Sequence, residues 1–131
     1  MRKLKGLIIM LFISLSLFGM TACSDGGTNS YEQITPQEAK TIMDTESEYI
    51  IIDARTDEEF AEGHIADAIL IPEYEIADRA EKELPDKDRL ILVYCRSGRR
   101  SKIASEELVK LGYTNVKEFG GIIDWPYEIV K

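Results

Sequence analysis

From residue 35 onward the apolar positions alternate between helical spacing and short unbroken runs. Thr35-Pro36-Gln37-Glu38 reads as a helix start: Thr35 caps, Pro36 suits the first helical position and Glu38 completes a capping box. Ala39, Ile42 and Met43 then form one apolar face. "YIIID", Tyr49 to Asp53, is apolar but too short for a helix, which predicts a buried strand. Thr56-Asp57-Glu58-Glu59 is a second capping box, opening a helix that Gly63 can end. "AILI", Ala68 to Ile71, predicts another buried strand, closed by Pro72. Ile76, Ala77, Ala80 and Leu84 make a helical stripe stopped by Pro85. "LILVY", Leu90 to Tyr94, is the most apolar strand and ends at Cys95. Ala104, Leu108 and Leu111 recur at helical spacing before Gly112, and "VKEF", Val116 to Phe119, is a short strand before a Gly-Gly turn.

Strands apolar on both faces, alternating with amphipathic helices, predict an α/β fold. Its central sheet is mainly parallel and flanked by helices on both faces. In such sheets ligands bind where strands end at their carboxyl side and helices begin. Cys95 stands at that place.

The chain's first residues follow neither rhythm. A short basic start (Arg2, Lys3, Lys5) precedes Gly6 to Ala22, an uncharged and mostly apolar run. That order predicts an export signal over residues 1–22. A helix buried in the fold would need a polar face that the run lacks, and an uncleaved anchor would be at the lower limit of length for a span. "MTAC", Met20 to Cys23, resembles the lipobox of bacterial lipoproteins, with Met20 where Leu is usual. The resemblance implies lipidation of Cys23. It also implies a tether over residues 23–30, a domain over 31–131, and an extracytoplasmic protein held to the membrane through that lipid.

Charge narrows the partners. Removing Met1 to Ala22 takes three of the 16 basic residues and no acidic one, leaving 13 basic against 24 acidic, a net −11. Such a surface repels phosphates, so nucleic acid is not an expected partner. The cysteine count is two. If Cys23 carries lipid, Cys95 is the only free thiol in an oxidising compartment; otherwise a Cys23–Cys95 disulfide competes. Two cysteines cannot build a cysteine zinc site, and neither a metal nor a cofactor is expected.

Around Cys95 the charge reverses. "VYCRSGRRS" crowds Arg96, Arg99 and Arg100 within five positions of the thiol. Gly98 lets the chain curl, so amides between Arg96 and Ser101 can converge at the start of the next helix. Such a cradle binds anions, and under a sulfur it favours thiolate over thiol. An isolated cysteine at a strand end is otherwise a small buried hydrophobe, and arginines often form a solvated face. Here the glycine turn, the helix start and the arginines coincide.

Three stretches, "IIDARTDEEFAEGHI" (51–65), "VYCRSGRRS" (93–101) and "GGIIDW" (120–125), resemble the rhodanese domain in order and spacing, over roughly Tyr31 to Lys131. The resemblance implies a small α/β unit that takes a sulfane sulfur from a donor such as thiosulfate. It passes that sulfur from a cysteine persulfide to cyanide or a thiol. Cys95 would be the nucleophile. The loop residues Arg96, Ser97, Gly98, Arg99, Arg100 and Ser101 would hold the persulfide and attract an anionic donor. Asp53 and Arg55 could bracket that loop or form an ion pair at the sheet edge. His64 reads as a structural hydrogen-bonding residue more than a base, and Trp125 as packing or a pocket wall. Ala66 and Asp67 stand where the family often has proline and glycine, which predicts a differently shaped loop.

Rival chemistries are separable by spacing. Cysteine-type phosphatases and related arsenate reductases place five residues between cysteine and arginine; here that position is Ser101, and Arg100 follows after four. An independent thiol oxidoreductase would want a resolving cysteine nearby. A non-catalytic or sulfur-carrier binding module remains the main alternative. A monomer is expected.

Overall fold

The structure, a computed structural model, describes residues 30–131; the expected export signal, the expected lipidation at Cys23 and the expected tether up to residue 29 lie outside the described residues. In chain order the elements are β1 (Glu32–Gln33), α1 (Pro36–Thr45), β2 (Tyr49–Asp53), α2 (Asp57–Glu62), β3 (Ile69–Leu70), α3 (Ile76–Glu83), β4 (Leu90–Cys95), α4 (Arg99–Lys110) and β5 (Val116–Gly121). Single 3-10 turns occupy Glu73–Glu75 and Ile122–Asp124. Both capping boxes form: Thr35 with Glu38 and Thr56 with Glu59 exchange side chain and backbone in each case.

The five strands make one parallel sheet in the order β1-β5-β4-β2-β3. β4 is central because its residues are apolar on both faces; Ile91, Leu92, Val93 and Tyr94 are all fully buried. One face of the sheet carries Ile52, Ile91, Val93 and Cys95 against Ile76 and Ala80 of α3 and Ala104 and Leu108 of α4. The other carries Ile51, Leu92, Tyr94 and Phe119 against Ala39 of α1 and against Trp125. Tyr94 and Cys95 therefore face opposite sides, as adjacent strand residues must.

Three expectations are corrected. Of Ala68 to Ile71 only Ile69–Leu70 pair, and Ile69 is 38% exposed, because β3 is the sheet's edge and has one neighbour. Ala77 faces solvent while Ile76, Ala80 and Leu84 are buried, since the sheet-facing stripe of so short a helix is narrow. The strand after α4 does not stop at Phe119 but runs through both glycines. There Val93 is opposite Glu118 but Cys95 is opposite Gly121, so β5 holds one extra residue. Gly120, with φ 88°, takes up that bulge.

Candidate active site

Cys95 is the last residue of β4 and is 1% exposed. Gly98 lies at the N-terminal cap of α4 with φ 108°, a torsion that glycine adopts without a Cβ penalty. This turn folds the chain back so that the Gly98 N–H donates to Cys95 Sγ at 3.0 Å. The next amides, of Arg99, Arg100 and Ser101, open α4 and have no carbonyl within the helix to bond. The sulfur is thus set at the positive end of a 12-residue helix.

β5 fixes the other side of the loop. A Cβ on Gly121 would fall 1.9 Å from the Arg96 carbonyl oxygen and 2.5 Å from the Ser97 nitrogen, so strand and loop meet backbone to backbone. The Ile123 N–H donates to the Arg96 carbonyl at 3.2 Å, which holds that carbonyl toward the Ile122–Asp124 turn. Gly120 is different: a Cβ there would meet nothing within 4 Å, and only its positive φ asks for glycine.

The three arginines divide. Arg96 and Arg99 are exposed and make no ion pair among the described residues. Arg100 instead donates through both terminal nitrogens to Glu59, at 2.7 and 2.9 Å, tying α4 to α2. The Arg100 bond outweighs burial and, with the Thr56 cap, holds the Glu59 carboxyl down to about 2; Arg100 is raised in return, chiefly by the same bond. Ser97 stands exposed on the loop rim. Ser101 is fully buried, with its Oγ 3.3 Å from Cys95 Sγ.

Behind Ser101 stands a residue that sequence reasoning passed over. Glu118 is 3% exposed, and its Oε1 accepts from Ser101 Oγ at 2.6 Å and from the Gly120 N–H at 2.7 Å. It has no ion pair among the described residues. Strand alternation could have found it, because Glu118 shares a face with the buried Val116. A cleft of about 310 Å³ opens beside this group, lined by Ser97, Gly98, Lys102, Glu118, Gly120 and Asp124.

Asp53 and Arg55 do not bracket the cysteine from its own side. Asp53 is fully buried and accepts from the Tyr94 hydroxyl at 2.6 Å, on the sheet face opposite Cys95. Arg55 grips the same carboxylate through Nε and Nη2, at 3.0 and 2.8 Å, and donates to the Gly63 carbonyl at 2.6 Å. Burial, with the Asp53 charge second, pushes the Tyr94 phenol up. Burial would lower Arg55, but the Asp53 bond prevails and raises it. The Ile65 N–H completes the network on Tyr94 Oη at 3.0 Å.

His64 is likewise structural in its contacts. Its Nδ1 lies 2.9 Å from the Phe60 carbonyl, its ring stacks on Phe60 at 3.7 Å, and its backbone pairs with Val130. Trp125 packs on Phe119 and walls a larger cavity of about 820 Å³, with Tyr49, Ile51 and Tyr127, on the face away from the sulfur. The Ile65–Ala68 turn is built around Asp67. Asp67 has φ 68° and Ala68 N–H donates to the Ile65 carbonyl, so Asp67 holds the torsion that glycine would. Among the described residues no cluster of three or more His, Cys, Asp or Glu could hold a metal.

Comparison with known proteins places this geometry among relatives. Residues 35–126 match the family model described as "Rhodanese-like domain". Thiosulfate sulfurtransferase PspE of Escherichia coli is 41% identical over 80 residues, covering 61% of this chain and 77% of that protein. A sulfurtransferase of Allochromatium vinosum is 42% identical over 88 residues, covering 66% and 79%. Among solved structures, a rhodanese with anions from E. coli superposes with a TM-score of 0.60 at 38% identity, covering 63% of this chain and 98% of that one. A rhodanese-like domain protein from Staphylococcus aureus gives 0.61 at 33% identity, covering 74% and 93%.

Proposed function

Because the chain belongs to the rhodanese-like domain family, we propose that it is a sulfurtransferase working through a persulfide on Cys95. The observation that carries this reading is the Gly98 N–H on Cys95 Sγ at the start of α4, a site suited to negative charge on sulfur. In this reading Cys95 Sγ attacks the sulfane sulfur of thiosulfate, or of a polysulfide or persulfide donor. The donor's S–S bond breaks, its leaving group (sulfite from thiosulfate, a shortened polysulfide or a thiolate from the others) departs with the electron pair, and the outer sulfur of the persulfide carries the charge. Cyanide or a thiol then takes that sulfur and returns the enzyme, which is covalent catalysis in two displacements. The exposed Arg96 and Arg99 draw the anionic donor to the loop, while Arg100 braces the loop through Glu59. Asp53 and Arg55 act as a brace for the sheet behind it. The relatives named for thiosulfate sulfurtransferase activity support the donor class. We further propose that Cys23 is the lipidated first residue of the mature chain, holding the domain outside the cytoplasm.

The test is to incubate the full chain with thiosulfate and weigh it intact, with Cys95→Ser as control. Gain of one sulfur atom only when Cys95 is present, removed by cyanide, is the expected result. No gain from thiosulfate or from polysulfide would sink the reading in favour of a non-catalytic binding module.

A further inference from the structure

The Cys95–Ser101–Glu118 chain has a proton-counting problem whose solution deepens the sulfurtransferase reading and rests on it. Ser101 Oγ has one hydrogen and three oxygen neighbours, the Gly98 carbonyl at 3.0 Å, the Gly120 carbonyl at 3.4 Å and Glu118 Oε1 at 2.6 Å. A carboxylate at that distance makes the strongest of these bonds and takes the hydrogen. The Ser101 lone pairs are then left for the Cys95 S–H, 3.3 Å away. Turning the sulfur into an anion in this setting would bury a second negative charge beside a carboxylate that has no cation of its own, which is costly.

We propose that Glu118, through Ser101, receives the Cys95 proton when sulfur is loaded and gives it back when sulfur is discharged. As Sγ bonds the sulfane sulfur and sulfite departs, the thiol proton passes to Ser101 Oγ and the Ser101 hydrogen passes to Glu118 Oε1. The products are a persulfide anion, sulfite and a neutral Glu118, so the negative charge has moved from carboxyl to outer sulfur without increasing. When cyanide removes the outer sulfur as thiocyanate, the electron pair returns to Sγ and the proton retraces its path. No proton need enter from solvent in either half. Glu118 touches no substrate and is a positioning residue for the proton.

The charged groups around the chain are consistent with this division. From α4, Arg100 is committed to Glu59 of α2, Arg99 is exposed, and Lys102 is exposed at the cleft it shares with Glu118 without pairing to it. Asp124, after β5, shares the cleft beside Glu118, and Asp53 of β2 is engaged by Arg55 across the sheet. None of them is ion-paired with Glu118.

Infrared difference spectra of the full chain, thiosulfate-loaded minus resting, test the proposal while intact mass confirms loading. A protonated carboxylic acid band should appear with the persulfide and be missing in Glu118→Gln. The same variant should load sulfur about 10²-fold more slowly near neutral pH, with its pH–rate profile moved upward. Persulfide formation without the band overturns the proposal and leaves the sulfurtransferase reading intact. So does equal or faster loading by Glu118→Gln, which is what a carboxylate that merely repels the sulfur would give. A wild-type chain that gains no sulfur ends both. If Glu118→Gln does not fold, Ser101→Ala cuts the same path and must also lose the band.

Discussion

Two carboxylates are buried in the strands that flank β4 on either side, and their surroundings are opposite. Asp53 on β2 has a guanidinium on both oxygens and a phenol besides, so its charge is cancelled and its position locked. Glu118 on β5 has a hydroxyl and an amide but no cation. Both satisfy the rule that buried polar groups find hydrogen bonds, and no described buried side-chain polar atom lacks a partner. Only one satisfies the charge. A neutralised buried acid is architecture, whereas one bonded to a group that can give or take a proton, in a chain ending on a sulfur, is poised for chemistry.

The sharpest way to expose that difference is to remove each charge in turn. Asp53→Asn strands the Arg55 guanidinium in the interior and should cost about 3–5 kcal/mol in urea unfolding. Glu118→Gln keeps an oxygen for Ser101 and Gly120 and should stay within about 1 kcal/mol by the same measurement, its loss appearing in sulfur loading. Equal destabilisation by the two would erase the distinction.

A smaller effect separates an acid on the surface from both. The Glu59 carboxyl is held at about 2, chiefly by Arg100, against an ordinary 4.5. A depressed carboxyl contributes stability above its unfolded value and loses it as pH falls toward the folded one. Wild type should therefore exceed Glu59→Gln by about 1–2 kcal/mol above pH ~5. The gap should close as pH falls from about 4.5 to 2 in thermal melts at successive pH values. The smallest effect concerns the turn over the Asp53 network, where Ile65 bonds Tyr94. Ala66 is the second residue of that turn, and its N–H makes no backbone bond among those of the described residues. Ala66→Pro should raise stability by about 0.4–1 kcal/mol in urea unfolding and leave sulfur loading unchanged.

Much of this was legible in the sequence because local chemistry decided it. Both capping boxes, the apolar run into Cys95 and the Gly98 turn depend on residues within a few positions of each other. β1 was not legible, since two exposed residues carry no apolar rhythm and pair only because β5 lies alongside. How the turn accommodates Asp67 was not legible either; its short polar side chain tolerates the left-handed torsion taken there. The partners of the acids were hidden for a different reason. Tyr94 reaches Asp53 from 41 residues away, and Arg100 reaches Glu59 across the same separation, so neither pair leaves a spacing signature.

The adjacent glycines of β5 carry a consequence for sequence variation. In a library randomised at both positions and selected for sulfur loading, position 121 should return a single amino acid, because any side chain there collides with the Arg96 carbonyl. Position 120 constrains angle and not space, so asparagine or aspartate should survive beside glycine. Two identical letters in the text thus carry unequal information, one codon silenced by volume and its neighbour merely biased by torsion.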